Sequence, residues 1–432
     1  MDKVEWIVAL SRWDIVEYLS KHELADLSVV CKFLRNKLYQ HVFKRIKLRY
    51  FLDNYIDLTF NEICSTKIKR QVLESLNENL KGFILFVKSL NNISRCNESL
   101  LLSISQLFLN LNSLKLTESM ITLATFDKIM CNLTKLEHLS LNDIKFVSFD
   151  TSEDPLTLHF PKSLISFNIL NGTLTRKEYS SSFKVRDYFY NSPGFIAGTL
   201  KFNVEKDSLP NLKILRAYHF YQDFIGSVIS LLSATRVLSH LSTSLLFINE
   251  STLANLHLIK SLTIINSNTF SQNIIQVDIS AFQNLKELEI SGKFVSYNGR
   301  TLFVIGQGLN VAAKNIKRLA LKYFEINRLL AEEFKCNFPN LVELSLFNAG
   351  VDKAVNLNNL PKSIQALNFY NINPKLLDIN TIINYPELKF ISVTYESGYP
   401  YKLKFEHIEL FSNIEGWREI HFPGPSIKCY KQ

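Results

Sequence analysis

Glycine and proline are scarce in this 432-residue chain, with 13 and 11 copies, and no stretch is collagenous or low in complexity. Cysteine is scarcer still. Cys31, Cys64, Cys96, Cys131, Cys336 and Cys429 stand far apart with no C-x-x-C pair, which excludes a zinc ribbon or a disulfide framework. Reduced, mostly buried thiols of a cytosolic or nuclear protein are the expectation. No apolar run is long enough to span a bilayer, and the longest uncharged stretch, 99–114, is broken by Ser, Asn and Gln. The charged start, Met1-Asp-Lys-Val-Glu-Trp6, lacks the apolar core of a signal peptide. The sequons at Asn92, Asn97, Asn132, Asn171 and Asn249 are therefore read as accidents of an Asn-rich composition.

Catalytic signatures are missing as well. There is no P-loop, G-x-S-x-G, H-E-x-x-H or EF-hand pattern. Gly306-Gln-Gly308 lacks the third glycine of a phosphate-binding turn. His138 and His421 fall on strand positions facing solvent, without a sequence-local acid or thiol partner. No cofactor and no metal are expected, and an enzyme is not. The charge of +9 comes from lysines and arginines scattered singly, which argues for a solvated basic surface and against a nucleic-acid module.

What is abundant is apolar residues, 47% of the chain, and they recur in a pattern. Leu136-Glu-His-Leu139-Ser-Leu141 has the form L-x-x-L-x-L. So do Leu111-x-x-Leu114-x-Leu116, Leu285-x-x-Leu288-x-Ile290, Ile316-x-x-Leu319-x-Leu321 and Leu341-x-x-Leu344-x-Leu346. Looser copies centre on Phe83, Phe167, Leu215, Leu262, Leu367, Ile391 and Ile420. From Phe83 the centres step by 31, 25, 28, 48, 47, 26, 31, 25, 23, 24 and 29 residues. A repeat of roughly 20–29 residues is the mark of a leucine-rich array, so each long step should hide a degenerate repeat or a loop insertion. Pro161, Pro210, Pro339, Pro361 and Pro386 each stand just before a repeat, where proline ends one segment and favours extended backbone in the next. Between the predicted strands, 121–130 and 327–334 read as helical.

Over roughly Leu80 to Phe422 this pattern resembles the ribonuclease-inhibitor-like leucine-rich-repeat family. That resemblance implies an α/β solenoid, a curved parallel sheet with outer helices. Asn171, Asn266, Asn348 and Asn371 come two residues after the last strand leucine, one short of the family's usual asparagine position. Outward strand positions are mild in the early repeats (Lys115, Ser140, Asn168). They are richer later, and Arg216, Tyr218, Glu287, Glu289, Arg318, Lys322, Phe347, Tyr370 and Phe390 are the candidate substrate-binding residues. Residues 172–208, with Tyr188-Phe-Tyr190, read either as a protruding insertion or as a degenerate repeat using those aromatics as core.

Residues 1–48 do not fit the repeat and read as a head of three short helices. Ser11-x-x-Asp14 and Ser20-Lys-His-Glu23 look like capping boxes. The first helix would carry Ile15, Val16 and Leu19, the second Leu24, Leu27 and Cys31, the third Leu34 and Leu38. Tyr18-Leu19-Ser20, Glu23-Leu24, Leu27 and Val30-Cys31-Lys32 resemble an F-box. Leu10 or Ile7 stands at the opening leucine, and no proline follows it. The resemblance implies a small all-α F-box-like head ahead of the repeats of 49–432. It further implies a Skp-family adaptor bound through Leu10, Ile15, Leu19, Leu24, Leu27, Val30 and Cys31, a cullin scaffold beyond it, and an unknown protein substrate held for ubiquitylation. The other reading of the same head is a helical cap on a free-standing repeat scaffold or inhibitor.

Overall fold

In L-x-x-L-x-L the last two apolar residues lie two apart, so a strand sends both to one face and its neighbours to the other. The computed structural model describes residues 16, 18–48, 66–94, 96, 98–148, 156–176, 198–200, 202–218, 225–244, 256–265, 274–277, 282–291, 302–305, 313–323, 333–347, 357–372, 377, 381, 385–394, 415–422 and 426–432. Two compact units result: Met1–Ile214 with Tyr221–Val237, and Leu215–Phe220 with Leu238–Gln432.

In the first unit the head supplies helices α1 (Lys21–Val30) and α2 (Lys32–Val42). The predicted box at Ser20 forms: Glu23 N–H donates to Ser20 Oγ, and Ser20 N–H donates to Glu23 Oε2 at 2.6 Å. Cys31 is not a helix-face residue as expected. Its extended backbone ends α1, and its Sγ accepts from Leu34 N–H to start α2. Val16, Leu24, Leu34 and Leu38 form the head's core, with Leu19, Leu27 and Cys31 packed against it. Strand β1 (Arg45–Lys47) follows, and parallel ladder strands β2 (Ser89–Ser94), β3 (Ser113–Thr117), β4 (His138–Asn142) and β5 (Ser166–Leu170) then add in chain order. Leu114, Leu139 and Phe167 are direct register partners, as are Leu116, Leu141 and Ile169. All six are buried, each burial being worth about 1.5–3 kcal/mol. Helices α3 (Thr66–Asn79), α4 (Glu98–Leu107) and α5 (Leu123–Asn132) alternate with the strands, and the helix expected at 121–130 begins after a short strand at Met120–Thr122.

Phe83 is not a strand centre. Gly82 takes φ +84 and 84–86 close a 3-10 turn, leaving Leu85 exposed. The first full repeat strand is β2, outside the expected triplet, where the register shifts between Leu90 and Ile93 and both are buried. Of the two long steps, the first holds an insertion. The amides of Lys213 and Ile214 donate to Ile165 O, so no ladder strand intervenes. Within it Leu200, Phe202 and Val204 are buried, and Phe202 and Val204 N–H donate to Ser227 and Ser230 Oγ of α6 (Ile225–Ser233). Tyr188 to Tyr190 lie outside the described residues.

In the second unit strands β6 (Ile214–Tyr218), β7 (His240–Ser244), β8 (Ser261–Ile265), β9 (Glu287–Ser291), β10 (Arg318–Lys322), β11 (Glu343–Phe347), β12 (Ala366–Tyr370) and β13 (Phe390–Thr394) follow in chain order. Strand β7 fills the second long step. It is a degenerate repeat in which Thr243 takes an inward position. Leu262, Leu288, Leu319, Leu344, Leu367 and Ile391 form one unbroken register row. A five-residue helix, α7 (Glu333–Asn337), covers part of the 327–334 segment. The triplet at Ile420 does not extend the parallel ladder. Strand β14 (Trp417–Phe422) pairs antiparallel with β15 (Ser426–Lys431), and β15 pairs antiparallel with β13. Ile427 and Cys429 are thereby buried, while Phe422 stays 42% exposed.

Two devices join the repeats. The residue leaving a strand takes positive φ at Glu118, Asp143, Asn171, Tyr323 and Asn371. The N–H groups of Glu118, Asp143, Tyr323 and Asn371 then donate to the end of the next strand. Asn and Asp tolerate that conformation best among residues with a side chain, which accounts for Asp143, Asn171 and Asn371 two residues after the last inward strand residue. The second device is a ladder just before the first leucine of a repeat. Asn211, Asn284, Asn315 and Asn340 each donate Nδ2 to a carbonyl of the preceding repeat at 2.7–3.0 Å, to Lys162, His257, Gln283 and Lys314. Ser163 and Ser363 do the same with their hydroxyls.

Candidate functional site

Because the parallel register is unbroken from β8 to β13, side chains facing away from the core form rows. One row runs Glu287, Arg318, Glu343, Ala366, Phe390, and another Ser291, Lys322, Phe347, Tyr370, Thr394. Glu289 lies in the row between them. Arg216 and Tyr218 alternate with buried Leu215 and Ala217 on β6. All nine candidate substrate-binding residues therefore occupy outward strand positions of this unit.

Their interactions make two connected strips. In one, Lys322 Nζ lies 2.7 Å from Glu289 Oε1 and 4.9 Å from the centre of the Phe347 ring, which stacks on Tyr370. In the other, Arg318 reaches Glu287 at 2.5 Å and Glu343 at 3.5 Å, and Asn368 Nδ2 donates to Glu343 and Ser345. Tyr218 OH bonds Ser242 Oγ, and burial pushes its pKa up. Phe390 packs on Tyr430 of β15 at 5.2 Å. The cations of these two strips are thus matched by carboxylates. What is left for a ligand is aromatic surface with rigid polar flanks, a composition suited to polypeptide.

The head candidates divide between the head's own core and its surface. Leu10 and Ile15 lie outside the described residues. Leu24 is buried in the head's core, and Leu19, Leu27 and Cys31 are half-covered by it. Only Val30 is open, 67% exposed. Tyr18, at the start of the F-box-like phrase, is 89% exposed, and the sequence pattern did not single out Val29 at 70% and Phe33 at 45%. Val29 and Val30 end α1 and Phe33 opens α2, so these three flank the Cys31 break. On the other side of α2, Tyr39 and Phe43 pack on Phe83 at 4.3 and 4.4 Å.

His138 and His421 are exposed as expected. His421 nevertheless has a sequence-local acid, since its Nε2 lies 2.6 Å from Glu419 Oε1. The thiols are less buried than expected: Cys96 and Cys429 are buried, Cys131 and Cys336 exposed. Gly306 to Gly308 lie outside the described residues. Among the described residues no group of His, Cys, Asp or Glu could hold a metal ion, and no helix is long and apolar enough to cross a membrane.

Strands, register and turns together make the fold a leucine-rich-repeat solenoid, with repeats stacked along a parallel sheet. No family model matches the chain, and no curated protein does. Among solved structures it is similar to an internalin, InlF, of Listeria monocytogenes, at 15% identity over 77% of this chain and 95% of that one, with a TM-score of 0.29. It is also similar to the functional domain of InlJ from the same organism, which includes a cysteine ladder, at 13% identity over 81% and 85% and a TM-score of 0.21.

Proposed function

We propose that the chain is a non-enzymatic adaptor, the substrate-recognition subunit of a Skp-cullin-F-box ubiquitin ligase. The head binds a Skp-family adaptor that bridges to a cullin, and the outward strand rows of the second unit hold a protein substrate. The observation that carries this reading is the division of the head's apolar residues. Val16, Leu24, Leu34 and Leu38 close a core of their own, while Tyr18, Val29, Val30 and Phe33 remain exposed beside it. Val29, Val30 and Phe33, adjacent around the Cys31 break, offer apolar surface for a protein contact. The F-box-like phrase from Tyr18 to Lys32 spans the same residues.

The alternative, a free-standing scaffold or inhibitor with a helical cap, is favoured by the Tyr39–Phe43–Phe83 cluster, which fixes α2 to the first repeat. A cap alone has no use for Val30 and Phe33 in solvent. Co-purification of the full chain with a Skp-family adaptor tests the choice. Val30→Asp with Phe33→Asp should abolish it without altering the fold, since both side chains are exposed. Retention of the complex by that variant, or no complex with the unaltered chain, would favour the cap.

A further inference from the structure

In the second unit the amide just ahead of each strand donates to the carbonyl of its counterpart one repeat back. Lys286 N donates to Lys260 O, Lys317 to Lys286, Val342 to Lys317, Gln365 to Val342 and Lys389 to Gln365. These bonds place six residues in one row across six repeats, about 4.8 Å apart as neighbouring strands are. Four of the six are lysines, and all four are exposed. Beside the row lies a cleft of ≈ 550 Å³, whose lining includes Lys286, Lys314, Lys317 and, as its one carboxylate, Glu387. Among the described residues none of the three ammonium groups has an ion-pair or hydrogen-bond partner.

The floor of the cleft is stiff and has two kinds of polar group. Asn284, Asn315 and Asn340 line it, each fixed by donating Nδ2 to the preceding repeat. That bond leaves each Oδ1 as an acceptor, because a primary amide has both functions. The cleft thus offers amide acceptors along its length and the ammonium groups of Lys286, Lys314 and Lys317 toward one end. The phosphates of a nucleic acid bring only anionic acceptors, which suit the ammonium groups and not the amide oxygens. An extended polypeptide has N–H donors along its backbone, and acidic side chains would reach the lysines.

We infer that this cleft is a docking groove for an extended, acidic polypeptide segment of a partner protein, separate from the outward strand rows. The lining spans five repeats, roughly 15–20 Å, which accommodates about five extended residues.

The test uses the full chain and a fluorescein-labelled ten-residue peptide of alternating Glu and Ser, with a Gln/Ser peptide and a ten-nucleotide oligothymidylate as comparisons. The Glu/Ser peptide should bind, and the other two should bind at least tenfold more weakly. Lys286→Glu with Lys317→Glu should weaken the Glu/Ser peptide at least tenfold, with an unchanged melting temperature because both side chains are exposed. The charge-matched change Lys145→Glu with Lys162→Glu, in the first unit, should weaken it less than twofold. The proposal is overturned if the groove variant binds as the unaltered chain does, if the control variant loses as much, or if the oligonucleotide binds as tightly as the peptide. Adaptor co-purification should be the same in the groove variant, so failure here leaves the head's role standing.

Discussion

Phe347 and Tyr370 stack face to face, ring centroids 4.1 Å apart with planes within 1° of parallel, because they are direct register partners on adjacent parallel strands. Strand spacing and ring stacking nearly coincide, so the ladder itself pre-organises the pair. Lys322, one strand earlier in the same row, sits over Phe347. A double-mutant cycle with Phe347→Ala and Tyr370→Ala should give a coupling of about 0.5–1.5 kcal/mol in denaturant-melt stability. Additive effects would mean that the rings stack without helping each other.

Thr243 should be a stabilising target. It is fully buried on β7, and its Oγ1 has no hydrogen-bond partner among the described residues. A buried hydroxyl left unpaired costs about 1–3 kcal/mol. Thr243→Val should therefore raise the melting temperature in a thermal scan, whereas Leu241→Thr, which adds the same liability one step earlier, should lower it.

Those two sites also show what could be read in advance. Rows such as Leu288, Leu319 and Leu344 were legible because alternation and spacing are local properties of the chain. Strand β7 was hidden because Thr243 breaks the apolar triplet and only pairing with β8 rescues it. The centre expected at Phe83 failed because Gly82 turns the chain and 84–86 close a 3-10 turn, and the strand that follows carries Leu90 and Ile93 instead. The final triplet at Ile420 was misread because β15, a partner later in the chain, takes the inward positions instead. On the outward face, alternation alone placed all nine candidate residues. In the head, the phrase resembling an F-box mixes buried Leu24 with exposed Val30, and only packing separates them. The asparagine ladder at 211, 284, 315 and 340 went unseen because its bonds run between repeats.

The head should lose stability in acid. Hydrogen bonds from Ser20 to the Glu23 carboxylate hold its pKa below the usual value of 4.5. A depressed carboxylate stabilises the folded state above its unfolded pKa and loses that contribution as pH falls through the folded one. Far-UV circular dichroism of the full chain from pH 6 down to pH 2 should show an acid transition that Glu23→Gln removes in part. At neutral pH, Ser20→Ala should cost about 1 kcal/mol.

Thiol reactivity should divide by burial. Burial pushes the Cys429 thiol up to about 12, with Glu419 adding to the effect. Cys131 and Cys336 are exposed. Maleimide labelling at pH 7.5, read by peptide mass spectrometry, should modify Cys131 and Cys336 within minutes, and Cys96 and Cys429 only after denaturation. Rapid labelling of Cys429 would contradict its place between β13 and β14.

Isothermal titration calorimetry of the full chain with a purified Skp-family adaptor, run at several temperatures, bears most directly on the adaptor role. The account predicts one-to-one binding with a negative heat-capacity change, because Tyr18, Val29, Val30 and Phe33 leave water. The Val30→Asp, Phe33→Asp variant should give no heat of binding. Absence of binding by the unaltered chain, or binding that the variant retains, would contradict it.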